Sequence, residues 1–491
     1  MAIAKKEQLL ELISTLDSSE KRFFTRYTNQ TGSGEEDKFY RLFRHLSTGG
    51  SLDDPALVDL LELTGPTQLV NLQRHLYGRI LDALRLQHRR RDAGIQVREQ
   101  IDYANLLYDR GLYLHALKLL ARAKEQAFTY HLDLHHLLII DFEKRIESRH
   151  ITRSSPDRMA ELTTESRKRQ EVMDSTVRQS NLQLVLQRHF IQHGHVANPA
   201  AARQFYQLFH HYFRDPIHTT ATYQERVLAH QCRFWYHYNQ LQLERAGHHA
   251  QLWTEQISHR KELRERDVNF YIKGMDRRLL ISFFRDDLVD HTRVLEELKE
   301  FLKTMPYTQQ QRNSQFMADI LILRAEMNEL LLTRPHTCAP SQIEALAQRT
   351  ARVSGVDRHK QLILYYKLAM LCTLTGQYGR ALGFLDPILD ERKPLRYDLI
   401  VYARLLQLVC HFRLGHAEFV AYGINNLARF LGRIGYPSPY PTLVLQRLRG
   451  LQRGESQSAR ELFERRLKPL EENIFHVREF RYFGADALLP A

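Results

Sequence analysis

Among the side chains able to do chemistry, histidine is the most conspicuous: the chain has 25, and eleven fall between His189 and His259. His189 and His193 stand four apart, a spacing that sets two imidazoles on one helix face, where a metal could be shared. The local run is HFIQHGH, with no Glu to complete HExxH and no cysteine nearby at ligand spacing. Histidines scattered over amphipathic helices account for this stretch, and neither a metal nor any other cofactor is expected. The four cysteines, Cys232, Cys338, Cys372 and Cys410, form no CxxC pair. They read as small buried apolar residues of a reducing, cytoplasmic compartment. Phosphate-binding GxxxxGK[ST], dinucleotide-binding GxGxxG and GxSxG nucleophile motifs are absent. Carboxylate pairs such as Asp286–Asp287 and Glu471–Glu472 sit in polar stretches. The expectation is that the protein is not an enzyme.

Basic residues offer a second chemistry. Lysine and arginine total 70 against 57 acidic residues, a net charge of +13, which favours acidic partners. One cluster runs from Arg74 to Arg98 and includes Arg85, Arg89, Arg90 and Arg91; another runs from Arg447 to Lys468. Either could neutralise phosphates. Neither interleaves the aromatics on which single-stranded bases stack. Nucleic acid is therefore the less favoured partner, and a solvated basic face the more economical reading.

These side chains must be carried by helices. Glycine (22) and proline (15) make 37 of 491 residues, below the roughly 12% of average usage. A β-sandwich or barrel needs a turn every ~8–12 residues, and the chain cannot supply them. Leu9, Leu12, Ile13 and Leu16 mark one face of a first helix. Asp17 and Glu20 have capping-box spacing for a second, and residues 28–37 read as a loop before a third over 39–46. A long helix over 69–91 should bury Leu76, Ile80, Leu81 and Leu84, and Pro199 is placed to open another. No stretch approaches 18 uninterrupted apolar residues, so no membrane span is expected, and the start lacks the apolar core of a signal peptide. The fold class is all-α. Its expected divisions are an N-terminal helical unit (1–92), an array of helix pairs (93–435) and a C-terminal cap and tail (436–491).

The array carries an internal repeat. Ala104, Gly111, Tyr113, Ala116, Leu120 and Ala123 stand at steps of 7, 2, 3, 4 and 3, and Ala369, Gly376, Tyr378, Ala381, Leu385 and Ile388 stand at the same steps. Small residues allow two helices to approach, and glycine accepts the left-handed conformation that ends the first. Gly415, Ala417, Val420, Ile424 and Leu427 form a looser third copy, whereas residues 140–360 lack the signature; within them, 276–302 looks like a pair that has lost its markers.

This pattern resembles the tetratricopeptide repeat, a helix–turn–helix unit of about 34 residues, although Gly376 and Gly415 are 39 apart. SSEKRFF (18–24) and NLLYDRGLYLHALKLL (105–120) also look like an uncharacterised bacterial family of helical repeat proteins, which implies a fold and no activity. The tetratricopeptide resemblance implies helix pairs stacked as an α-solenoid whose first helices line a concave groove. Carried across by position, the groove residues would be Arg98, Ile101, Asn105, Tyr108 and Asp109 in the first motif and Ile363, Tyr366, Met370, Thr373 and Leu374 in the second. Chaperone-tail-binding members clamp a terminal carboxylate with a basic residue where this chain has Ile101, so that ligand is not expected. The implied function is a non-catalytic scaffold binding a protein or peptide partner. The alternative is a nucleic-acid-associated regulator that uses the Arg-rich helix, with the solenoid as sensor.

Overall fold

In the computed structural model, residues 6–489 are described apart from 31–33, 53–55, 91, 151–155, 220, 259–262, 264–265, 305–311, 334–337, 354–356, 392–395, 455–456 and 485–487. Arg91 and parts of several expected breaks therefore lie outside the described residues. Among the described residues the chain is helical throughout and has no strand. It divides into two compact units, Met1–Met173 and Asp174–Ala491.

The first unit begins with α1 (Lys6–Thr15), α2 (Ser18–Gln30), α3 (Gly34–Ser47), α4 (Ala56–Leu60) and α5 (Pro66–His88). The expected cap on α2 forms: the Asp17 N–H donates to Glu20 at 2.9 Å and the Glu20 N–H to Asp17 at 2.8 Å. Leu9, Ile13, Leu42, Leu57, Leu76 and Ile80 close a core of their own. Two expectations need correction. Helix α3 starts at Gly34, inside the stretch read as a loop, because GEEDKFY has no residue after Gly34 that stops a helix. Leu81 is 44% exposed; it neighbours Ile80, and successive helical residues are 100° apart, so both cannot face the core. Next come α6 (Ala93–Asp109), α7 (Tyr113–Thr129) and α8 (Asp133–Arg149), then α9 (Pro156–His193), in which the division between units falls.

The second unit continues with α10 (Pro199–Phe209), opened by Pro199 and capped by Asn198, and a short 3₁₀ turn (His210–Phe213). Then follow helix pairs: α11 (Tyr223–Asn239) with α12 (Leu243–Ser258), α13 (Val268–Phe284) with α14 (Leu288–Thr304), and α15 (Arg312–Leu332) with α16 (Pro340–Arg352). After them come α17 (Arg358–Leu374) with α18 (Tyr378–Leu389) and α19 (Tyr397–Arg413) with α20 (Ala417–Ile434). The chain ends with α21 (Tyr440–Gln452), α22 (Gln457–Glu471) and α23 (Val477–Tyr482).

One turn recurs where helices pair. Gly111, Gly376 and Gly415 have φ of 76°, 78° and 79°, as expected of glycines after a helix end. Beside Gly111, the Leu112 N–H donates to the Leu107 carbonyl at 3.0 Å and the Gly111 N–H to that of Tyr108 at 2.9 Å. This is the double-bonded helix stop that satisfies the last free carbonyls. His131, Leu241 and Asp286 occupy the same position with φ of 51°, 60° and 60°. Their following N–H groups, on Leu132, Gln242 and Asp287, donate to Ala127, His237 and Ser282 at 2.8, 3.0 and 3.0 Å. The α7–α8, α11–α12 and α13–α14 hairpins thus use the turn without glycine, and the pair anticipated at 276–302 is the α13–α14 hairpin.

Burial is repeated as faithfully as the turn. Counting from the left-handed residue, the fifth position is Ala116, His136, Ala246, His291, Ala381 or Val420, none more than 3% exposed. The ninth is Leu120, Ile140, Ala250, Leu295, Leu385 or Ile424, and none exceeds 1%. At the twelfth stand Ala123, Glu143, Trp253, Leu298, Ile388 and Leu427, again at 3% or less. These offsets fall on one face of the second helix, the face it lays on the first. His291 and Glu143 on this face are satisfied by partners, whereas the His136 Nδ1 is buried without one. His291 lies 2.9 Å from the Ser282 hydroxyl and 3.1 Å from the Ala325 carbonyl. Glu143 accepts from Lys124 at 2.6 Å and Arg158 at 3.1 Å.

Candidate functional site

The second unit contains a cavity of about 460 Å³, within the usual range for small-ligand sites. Trp235 and Tyr238 reach it from α11, Lys273 and Arg277 from α13, Arg324 and Asn328 from α15. From α17 and α19 come Ile363, Tyr366, Lys367, Met370 and Tyr402. In every pair from α11 to α20, the lining side chains belong to the first helix, and none to α12, α14, α16, α18 or α20. The reason is geometric: the second helix spends its apolar face on the first, leaving the opposite face of the first helix to look inward.

Charge in the cavity is uneven. Seven lysine and arginine side chains line it against three aspartates. Asp276 pairs with both Arg277, at 3.4 Å, and Arg324. Burial works to raise the Asp276 carboxyl, but Arg324 and Arg277 outweigh it and hold the group below the usual carboxylate range. Lys360 pairs with Asp357 at 3.1 Å, Arg396 with Asp398, and Arg481 with Asp286 at 2.5 Å. Lys273 and Lys367 have no carboxylate within ion-pair distance among the described residues. The Lys367 ammonium lies 4.4 Å from the centre of the Phe283 ring. Burial, then the Arg324 charge, lowers its pKa from 10.5 to about 7.

Arg481 and Tyr482, from the C-terminal segment, also line the cavity, and the residues around them are bonded to the helices. Tyr366 donates its hydroxyl to the Tyr482 carbonyl at 2.7 Å, and Tyr440 donates to the Phe483 carbonyl at 2.5 Å. Tyr402 donates to the Glu479 carboxylate at 2.6 Å, and Ser438 donates to its other oxygen. Tyr482 packs edge-on against Phe284 at 5.7 Å and contributes to the cavity wall.

Of the residues carried over from the repeat motif, Ile363, Tyr366 and Met370 line this cavity. Thr373 is instead buried on the packing side, its hydroxyl donating to the Ala369 carbonyl at 2.8 Å and lying 3.3 Å from the Cys410 sulfur. Leu374 packs against the core around α17 and α19. In the first unit, Arg98, Asn105 and Asp109 are exposed. Ile101 and Tyr108 pack into the α6–α8 core, where the Tyr108 hydroxyl accepts from Arg149 at 2.9 Å. Ala104, Ala116, Ala369 and Ala381 are fully buried at helix contacts, while Tyr113 and Tyr378 are half-buried at the starts of α7 and α18.

The anion-binding candidates are only partly available. Arg89 pairs with Glu99 and lies over the Tyr103 ring at 5.9 Å, whereas Arg85 and Arg90 are exposed. No group of three or more potential metal ligands occurs among the described residues. His189 and His193 have ring centres 4.9 Å apart. A second histidine group joins α11 to α12: His230 and His249 approach Nδ1 to Nδ1 at 3.2 Å, and His237 stacks on His249. Burial, followed by the nearby Arg233 charge, pushes His230 down to about 4. Burial followed by His230 and His237 pushes His249 down to about 3.

Sequence reasoning missed Lys367, Arg324, Lys273 and Asn328. The available signal was Lys367, a lone cation inside the run LILYYKLAML (362–371). No family model matches the chain, and comparison with curated proteins and with solved structures gives no match. No helix among the described residues is long and apolar enough to cross a membrane.

Proposed function

We propose that the chain is a non-catalytic helical-repeat scaffold that binds a protein or peptide partner along the inner face of its stacked hairpins. Repetition of one turn and one burial pattern supports a tetratricopeptide-like stacking, in which first helices line a groove and second helices form the outside. The observation that carries the reading is the seating of the C-terminal segment. Tyr366, in the cavity wall, donates its hydroxyl to the main-chain carbonyl of Tyr482, and main-chain carbonyls are common to any polypeptide. A face that already holds one stretch of chain this way has the chemistry to hold another.

The test is capture of partners from the native cell by the full chain and by Ile363→Lys and Met370→Lys, identified by mass spectrometry. A partner engaged by this face is recovered by the parent chain and lost from both variants while their helical content is unchanged. Recovery that is equal for all three overturns the reading. A parallel titration with mixed-sequence DNA and RNA separates the alternative. Sub-micromolar affinity with a steep salt dependence, lost in Arg85/Arg89/Arg90/Arg91→Ala, would transfer the function to the Arg-rich helix.

A further inference from the structure

The cavity described above is built at a cost that packing alone does not return. Lys273 and Arg277 are one helical turn apart on α13, an arrangement in which like charges repel. Lys367 projects from α17 toward the same space with Arg324 across from it. The three aspartates are consumed by Arg277, Arg324, Lys360 and Arg396, which leaves half-buried Lys367 and exposed Lys273 without a carboxylate. Polar capacity is left over too. The Arg324 Nε and the Asn328 Oδ1 are buried without a hydrogen-bond partner, although Asn328 is only 2% exposed. A buried polar atom left unpaired typically costs about 1–3 kcal/mol. Both lie on one turn of α15, beside the cavity toward which Lys367 projects without a carboxylate partner.

We propose that this cavity is a binding site for a small organic anion, a phosphate or carboxylate head on an aromatic or apolar body. Lys367 takes the head with the Arg324 charge beside it, and Lys273 stands at the exposed margin of the cavity. The wall of Trp235, Tyr238, Phe283 and Phe284 receives the body, consistent with a volume of about 460 Å³. Burial next to Arg324 already weakens the proton on Lys367, and an anion beside it would restore the charged form. The site stands whether or not the inner face engages a protein, and its failure would leave the scaffold reading untouched.

The experiment uses the full chain carrying Trp253→Phe, so that Trp235, the other of its two tryptophans, reports on the cavity wall. Phenyl phosphate, benzoate and neutral benzyl alcohol are titrated, with thermal denaturation as a second readout. The expected result is saturable change in Trp235 emission with phenyl phosphate or benzoate, a matching rise in melting temperature and no saturation with benzyl alcohol. Which anion saturates at lower concentration distinguishes a phosphate head from a carboxylate head. Affinity should fall at least tenfold in Lys367→Met, whose helical content is checked by circular dichroism, and also in Lys273→Met. The proposal is overturned if neither anion saturates, if benzyl alcohol binds as tightly as the anions, or if both variants bind with the parent's affinity.

Discussion

Hairpins α17–α18 and α13–α14 have the same backbone and almost nothing in common as strings of letters. The first has Gly376 at its turn, Ala381 at the fifth position and Leu385 at the ninth; the second has Asp286, His291 and Leu295. Both turn through positive φ, both place the following N–H on the same carbonyl of the preceding helix, and both bury the same three positions. The repeat is thus a property of geometry and burial before it is one of residue identity. Glycine and alanine are the least costly way to meet it. Asp286 meets the turn because a short polar side chain tolerates the left-handed region. His291 meets the packing because the Ser282 hydroxyl and Ala325 carbonyl satisfy both of its ring nitrogens.

If that equivalence is right, truncation at the ninth position should hurt both kinds of hairpin alike. Leu295→Ala and Leu385→Ala should each cost about 2–5 kcal/mol in urea unfolding, and a large loss in one with none in the other would break the comparison. Overpacking comes next: Ala246→Trp and Ala381→Trp should each destabilise by about 1–3 kcal/mol. Smaller effects separate the two kinds of turn. A Cβ added at Gly376 meets nothing within 4 Å, so Gly376→Ala isolates the backbone penalty, about 1–2 kcal/mol, whereas His131→Gly should leave stability unchanged or raise it. A loss of stability in His131→Gly would show that its side chain, and not the turn, holds α7 to α8.

At neutral pH the least perturbing change is in the histidine group of α11–α12. His230 and His249 titrate near 4 and 3 in the folded chain against about 6.5 when unfolded. The unfolded chain therefore takes up protons first as pH falls. Stability is complete above about pH 6.5 and drains away toward pH 3. Circular dichroism melts of the parent and of His249→Gln should coincide at pH 7.5 and separate at pH 4.5, where the variant should melt higher. Identical curves at both values would remove these rings from the acid response.

Much of this was legible in the residues. Spacing located the α6–α7, α17–α18 and α19–α20 turns, capping chemistry located the start of α2, and Pro199 that of α10. The pairs α7–α8 and α11–α12 were not legible because His131 and Leu241 do not advertise a left-handed turn, and His136 or Ala246 reads as nothing without its partner helix. The candidate site was legible in part. Of the motif positions, Ile363, Tyr366 and Met370 line the cavity, whereas Thr373 lies against Cys410.

By itself the sequence determined that this protein is helical, where several helices end and which small residues let helices touch, because these are matters of backbone preference within a few residues. Tertiary structure alone decided that Lys367, Arg324, Lys273 and Asn328 share one cavity. They come from three helices spread over nearly a hundred residues, and whether a cation is neutralised depends on which carboxylates folding brings within reach. A lysine in an apolar run looks like an interruption in the chain, and in the folded molecule it faces a cavity where an anion would stabilise it.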